Sequence, residues 1–188
     1  MTDRIRIRRA EAKDIPQLTE IFQKDLGYGA CMQETVAAQF AKLDEKREAV
    51  FVAATETDDR AVGVIHVELY NTLYFPTLAN ILGLAVSSCC RGRGTGSLLL
   101  SAAEEWAARE GAAFMRVNSG ESRTEAHAFY RKRGYTDEKG QKRFLKELSS
   151  PCQQGGKEVC FLQEEQHGAQ FPKDFGTFRT EQPQGQAR

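Results

Sequence analysis

The chain has 188 residues, 40% hydrophobic and 28% charged, enough for one domain whose apolar core needs neither disulfides nor metal. Its 26 Lys and Arg balance 26 Asp and Glu, which argues against the broad cationic field of a protein held to nucleic acid through phosphate contacts. No stretch approaches the roughly 18 apolar residues of a membrane span, and the N-terminus MTDRIRIRRAEAKD lacks a signal peptide's apolar region, so a cytoplasmic protein is expected.

The first strand is expected over residues 4–8, with Ile5 and Ile7 on one face and arginines on the other, a charged edge that resists aggregation. Asp14 and Gln17 have capping-box-like spacing ahead of a helical stripe of Leu18, Ile21, Phe22 and Leu26 that stops at Gly27. Val36, Phe40 and Leu43 suggest a second helix, and residues 49–54 and 62–69 read as the two arms of a hairpin. After a loop with Pro76, a strand over residues 81–86 runs through Ser87-Ser88-Cys89-Cys90 and Arg91-Gly92-Arg93-Gly94-Thr95-Gly96 into a long helix. Leu99, Ala103 and Trp106 form that helix's buried stripe, and Gly111 ends it. A strand at residues 114–117, a helix opened by Ser122 and Glu125 and ended by Gly134, and a short last strand over residues 142–148 complete the domain. Residues 1–148 are thus expected to fold, and residues 149–188, rich in glutamine and poor in aliphatics, to form a low-complexity tail, disordered or loosely packed.

The five cysteines, Cys31, Cys89, Cys90, Cys152 and Cys160, are odd in number and irregularly spaced, which suits reduced thiols. No CxxC or HxxxH pair is present, so no metal site is expected. A strand passing through a loop of glycines and arginines into a helix is, in contrast, a general device for holding phosphate. Glycines let the backbone approach the oxygens, and the helix N-terminus adds partial positive charge. Neither nucleotide pattern fits well, because a P-loop lacks its lysine and Gly92, Gly94 and Gly96 give GxGxG rather than GxGxxG.

Arg91-x-x-Gly94-x-Gly96 directly after Leu84-Ala85-Val86 resembles the acetyl-CoA signature of the GNAT superfamily of N-acetyltransferases. Residues 123–135, with Ala126, Phe129, Tyr130, Gly134 and Tyr135, resemble the family's later helix. The likeness covers roughly residues 4–148. It implies an α/β GNAT fold, a mixed and mostly antiparallel central sheet with splayed strands flanked by helices. It also implies acetyl-CoA as cosubstrate, held by backbone at Leu84, Ala85 and Val86 and by Arg91, Gly92, Arg93, Gly94, Thr95, Gly96 and Arg123. Tyr130 matches the tyrosine that protonates the departing thiolate.

Acetyl transfer to an amine also needs a base, since an alkyl amine has a pKa near 10.4. The glutamate that some members carry after the long helix is replaced by Asn118, which moves candidates to Glu68, His66 or Glu121, or to a water chain. Glu68 and His66 share a strand face by parity, although either could be an ordinary polar residue. Asp25, Tyr28, His66 and Tyr70 are the expected acceptor-binding groups, acidic and aromatic as suits a cationic amine. The resemblance implies a small-molecule amine as partner, particularly of the aminoglycoside kind, with no nucleic acid or membrane, and it allows a homodimer. Acetylation of a protein N-terminus or lysine and a non-catalytic acyl-CoA-binding module are the alternatives.

Overall fold

The structure, a computed structural model, describes residues 4–137, 140–142 and 144–146. The chain divides into two compact units, Met1–Asp137 and Glu138–Arg188. In the second, the described part of the expected last strand, Lys142 and residues 144–146, has no regular secondary structure; the other strand positions and the tail lie outside the described residues.

Among the described residues, the first unit is built on a sheet of five strands in the order β1-β2-β3-β4-β5: β1 Ile5–Arg9, β2 Glu48–Thr55, β3 Ala61–Tyr70, β4 Leu78–Val86 and β5 Phe114–Val117. The first four pair antiparallel in succession, and β5 joins β4 in parallel. A parallel neighbour requires a crossover, and α3, Thr95–Arg109, supplies it. Leu99, Leu100, Ala103, Trp106 and Ala107 of α3 are buried on one sheet face against Phe51, Ile65, Val67 and Ile81. Each large side chain so removed from water stabilises the fold by roughly 1.5–3 kcal/mol.

The opposite face receives α1, Ile15–Ile21, and α2, Gln33–Phe40. Leu18 and Ile21 pack on Val50, Val52, Val64 and Ala85, with Leu26, Val36 and Leu43 at the margin. The stripe expected to run as one helix to Leu26 instead widens after Ile21 into a π turn, Phe22–Leu26, which Gly27 closes at φ +93°. Asp14 does not form the expected box with Gln17. Its buried carboxylate accepts two bonds from Arg8, at 2.7 and 2.8 Å, and one from the Glu11 N–H, while Pro16 occupies the first turn of α1. Arg8 also reaches Asp59 in the β2–β3 turn at 2.9 Å, so one face of the β1 edge is an ionic clasp. The last helix among the described residues, α4, Thr124–Lys132, begins without the side-chain cap expected from Ser122.

Two irregularities position the site. The β3–β4 register jumps from His66↔Gly83 to Val67↔Ile81, leaving Leu82 as the extra residue of a bulge. Pairing of β4 with β5 ends at Ile81↔Val117. From Leu82 to Val86, therefore, β4 is bonded to β3 on one side and, among the described residues, has no strand on the other, which is the expected splay. Among the described residues no helix is long and apolar enough to cross a membrane.

Candidate active site

The free edge of β4 leads directly into the glycine loop. Leu84 and Val86 direct their side chains into the α3 cluster, and Ala85 is buried on the other face, so what remains open on the β5 side is backbone. Ser88–Cys90 forms a short 3-10 turn, after which Gly92 and Gly94 take φ of +72° and +82°. L-residues with side chains rarely adopt that conformation. Thr95 is buried and its hydroxyl donates to the Cys90 carbonyl at 3.3 Å, pinning the start of α3.

Between Gly92 and Gly96 no backbone N–H has a protein acceptor among the described residues. Successive unsatisfied amides at a helix N-terminus form a concave donor set matched to the oxygens of a pyrophosphate. The free strand edge and this donor set therefore fit acetyl-CoA, the first suited to an amide-bearing arm and the second to a diphosphate.

Two of the three arginines expected at the cofactor, Arg91 and Arg123, reach across to the π turn of the opposite layer. Arg91 Nε donates to the Val86 carbonyl at 3.0 Å and its Nη2 to Asp25 Oδ1 at 2.7 Å. Arg123 Nη2 donates to the Leu26 carbonyl at 3.3 Å. Asp25 also accepts the Ser88 N–H at 3.0 Å, and its side chain is only 9% exposed. The carboxylate expected at the acceptor is paired here and braces the loop. Arg93 is exposed and forms no ion pair among the described residues.

Tyr130 lies on α4 between Phe129 and Tyr135, with ring centroids 5.2 and 5.5 Å away, and packs on the α3-side core. Burial pushes its phenol up to about 12, with nearby Arg123 opposing weakly. Such a phenol stays protonated at neutral pH; being a weaker acid than a thiol of ordinary pKa, near 8.5, it hydrogen-bonds a departing sulfur and passes it a proton only as solvent restores its own.

On the α1/α2 side, beyond the helices' apolar contacts, the sheet carries one polar row. Glu48, Glu68, Asn80 and Arg116 stand abreast on β2, β3, β4 and β5. Asn80, 8% exposed, donates from Nδ2 to Glu68 Oε1 at 3.0 Å and accepts at Oδ1 from Arg116 Nε at 3.1 Å. His66 contacts Glu48 at 3.1 Å through Nε2, so the two base candidates of β3 share a face, as expected, with separate partners. Tyr70 lies beneath the Arg116 guanidinium, 4.4 Å from ring centroid to Cζ. Tyr28 is 54% exposed just past the π turn, and Asn118 and Glu121 are exposed after β5.

Asn80 and Arg116 were missed from the sequence. The available signal was a polar residue interrupting each of two apolar strands, Leu78-Ala79-Asn80-Ile81 and Met115-Arg116-Val117. Their meaning required the register that sets them side by side.

Residues 15–135 match the acetyltransferase (GNAT) family, and the chain belongs to that family. An uncharacterized N-acetyltransferase, YhdJ of Bacillus subtilis (strain 168), is 41% identical over 59 residues. That match covers 31% of this chain and 42% of the relative's length. Among solved structures, a transcriptional regulator from Bacillus halodurans C-125 superimposes with a TM-score of 0.67 at 25% identity, covering 76% of this chain and all of that one. The aminoglycoside N-acetyltransferase AAC(6')-Iy, crystallised with CoA, superimposes at 0.68 with 16% identity, over 78% of this chain and 97% of its own. At that identity the likeness is one of fold.

Proposed function

We propose that the protein transfers the acetyl group of acetyl-CoA to the primary amine of a small molecule, by direct attack in a ternary complex, with residues 1–148 as the catalytic domain. The observation that carries this reading is the continuity of the free β4 edge with the unsatisfied amides of Gly92–Gly96, beside a phenol held protonated. Acetyl-CoA supplies the thioester. The chain supplies its alignment along Leu84–Val86, charge stabilisation at the loop and a proton donor. Holding two reactants together removes much of the entropic barrier of a bimolecular reaction.

Glu68 takes the proton of the attacking ammonium, directly or through water, from the α1/α2 face. As the carbon–nitrogen bond forms and the carbon–sulfur bond breaks, Tyr130 gives its phenolic proton to the sulfur and is reprotonated from solvent. His66 and Tyr70 line the same face as Glu68 and belong to the acceptor surface.

The reading is tested by following CoA release from acetyl-CoA with panels of small amines, aminoglycosides, polyamines and peptides. Turnover with small amines supports it. Turnover confined to peptides would move the chain to protein acetylation, and acetyl-CoA binding without turnover would make it a binding module.

A further inference from the structure

Building on the reading that the α1/α2 face around Glu68 is the acceptor surface, we infer that the acceptor is a primary amine that also carries an oxyanion, a carboxylate or a phosphate, and that Arg116 receives that oxyanion. Arg116 is partly buried on β5, at the end of the polar row. Its Nε is bonded to Asn80, and its guanidinium lies over the Tyr70 ring. Neither terminal nitrogen has an acceptor, and no carboxylate lies within ion-pair distance among the described residues. The terminal nitrogens are not among the buried unpaired side-chain atoms, so the fork stays open to a ligand. A guanidinium stacked and tethered in a single orientation presents its fork ready for two parallel bonds to a planar or tetrahedral oxyanion.

The position of Asn80 explains why that charge stays available. Glu68 and Arg116 are two strands apart in one row, and without a spacer their long side chains could meet as an ion pair. The Asn80 amide is bonded to both, its N–H to Glu68 and its carbonyl to Arg116. The carboxylate and the guanidinium are thereby held apart, with their bonding atoms within roughly 8 Å of each other. A buried amide serving one acceptor and one donor this way has both ends satisfied. The row is consequently polarised: Glu48, His66 and Glu68 at the β2–β3 end, Arg116 at the β5 end. An amine that bears an anion matches both ends. A polycation would bring one of its charges against Arg116.

Matched acceptors test this on the full-length chain. Glucosamine 6-phosphate is compared with glucosamine, and a set of L-amino acids with their carboxamides, each by CoA release. The expected result is a kcat/KM at least about tenfold higher for the anionic member of one pair type, the worth of one charge-assisted contact. The two arms separate phosphate from carboxylate. Arg116→Gln should collapse that ratio toward unity, chiefly through KM of the anionic member, and Arg116→Lys should restore part of it, because charge returns without the fork. Equal or better use of the uncharged members or of polyamines by the wild-type chain overturns the inference while leaving acetyl transfer intact. A ratio that survives in Arg116→Gln also overturns it. No CoA release with any amine overturns the transferase reading itself.

Discussion

Tyr130 and Glu68 divide the proton chemistry by environment. Tyr130 is packed between two rings on the core side, and burial raises its phenol to about 12; Glu68 sits half-buried in a polar row with an amide partner. Tyr130→Phe should lower kcat about 100-fold, within the usual range for a positioned acid, while the calorimetric Kd for acetyl-CoA stays nearly constant; an unchanged kcat removes the proposed donor. Glu68→Gln should cost a similar factor at pH 7. The deficit should narrow toward pH 10, where the acceptor loses its own proton. A pH–rate profile checks that, and a deficit constant with pH would assign Glu68 to positioning alone. Tyr130 also makes a stability statement. Its folded pKa lies above the unfolded value near 10, so the contribution is intact below about pH 10 and is lost as pH rises toward 12. Urea unfolding over that range should be steeper in pH for the wild-type chain than for Tyr130→Phe.

At the scale of elements, the strand-loop-helix unit and the β1 clasp are the parts most exposed to single changes. Gly94 caps α3 at φ +82°, so Gly94→Ala should cost about 1 kcal/mol of stability through backbone strain alone. Gly94→Asp adds a carboxylate facing the amides of Gly92–Gly96. Acetyl-CoA binding should then vanish by titration calorimetry but persist, weakened, in Gly94→Ala; if both bind alike, the loop is not the diphosphate site. In the clasp, burial raises the Asp14 carboxyl, but the bonds from Arg8 and the Glu11 N–H prevail and hold it below the ordinary carboxylate range. Its contribution is therefore present above about pH 4 and lost as pH falls further. Asp14→Ala, which leaves Arg8 partly buried with Asp59 at 2.9 Å and Glu11 at 3.9 Å as its remaining carboxylates, should destabilise by about 3 kcal/mol in urea titrations at pH 7.

Over the whole molecule, the legible parts were those encoded by neighbours along the chain: the α3 stripe, the β2–β3 hairpin and the glycine loop. Leu82's bulge, the Glu68–Asn80–Arg116 row and the Asp25–Arg91 pair join residues far apart in sequence, and no local periodicity announces them. The π turn was also hidden, because Phe22 and Leu26 satisfy helical spacing whether four or five residues close each ring. Ligand linkage offers a global check: free acetyl-CoA at 100 times its Kd should add about 2.7 kcal/mol to unfolding free energy, visible as a higher melting temperature. Absence of any shift at saturating ligand would place binding outside the folded unit. Arg91 and Arg123, two of the three cations expected to greet the cofactor, already hold the Asp25 carboxylate and the Leu26 carbonyl, the negative end of a helical turn. The turn is a resident tenant of the phosphate's cations. A diphosphate that recruits either arginine must share it with, or take it from, the segment that leads to Tyr28, so the arrival of the first substrate loosens one wall of the space meant for the second.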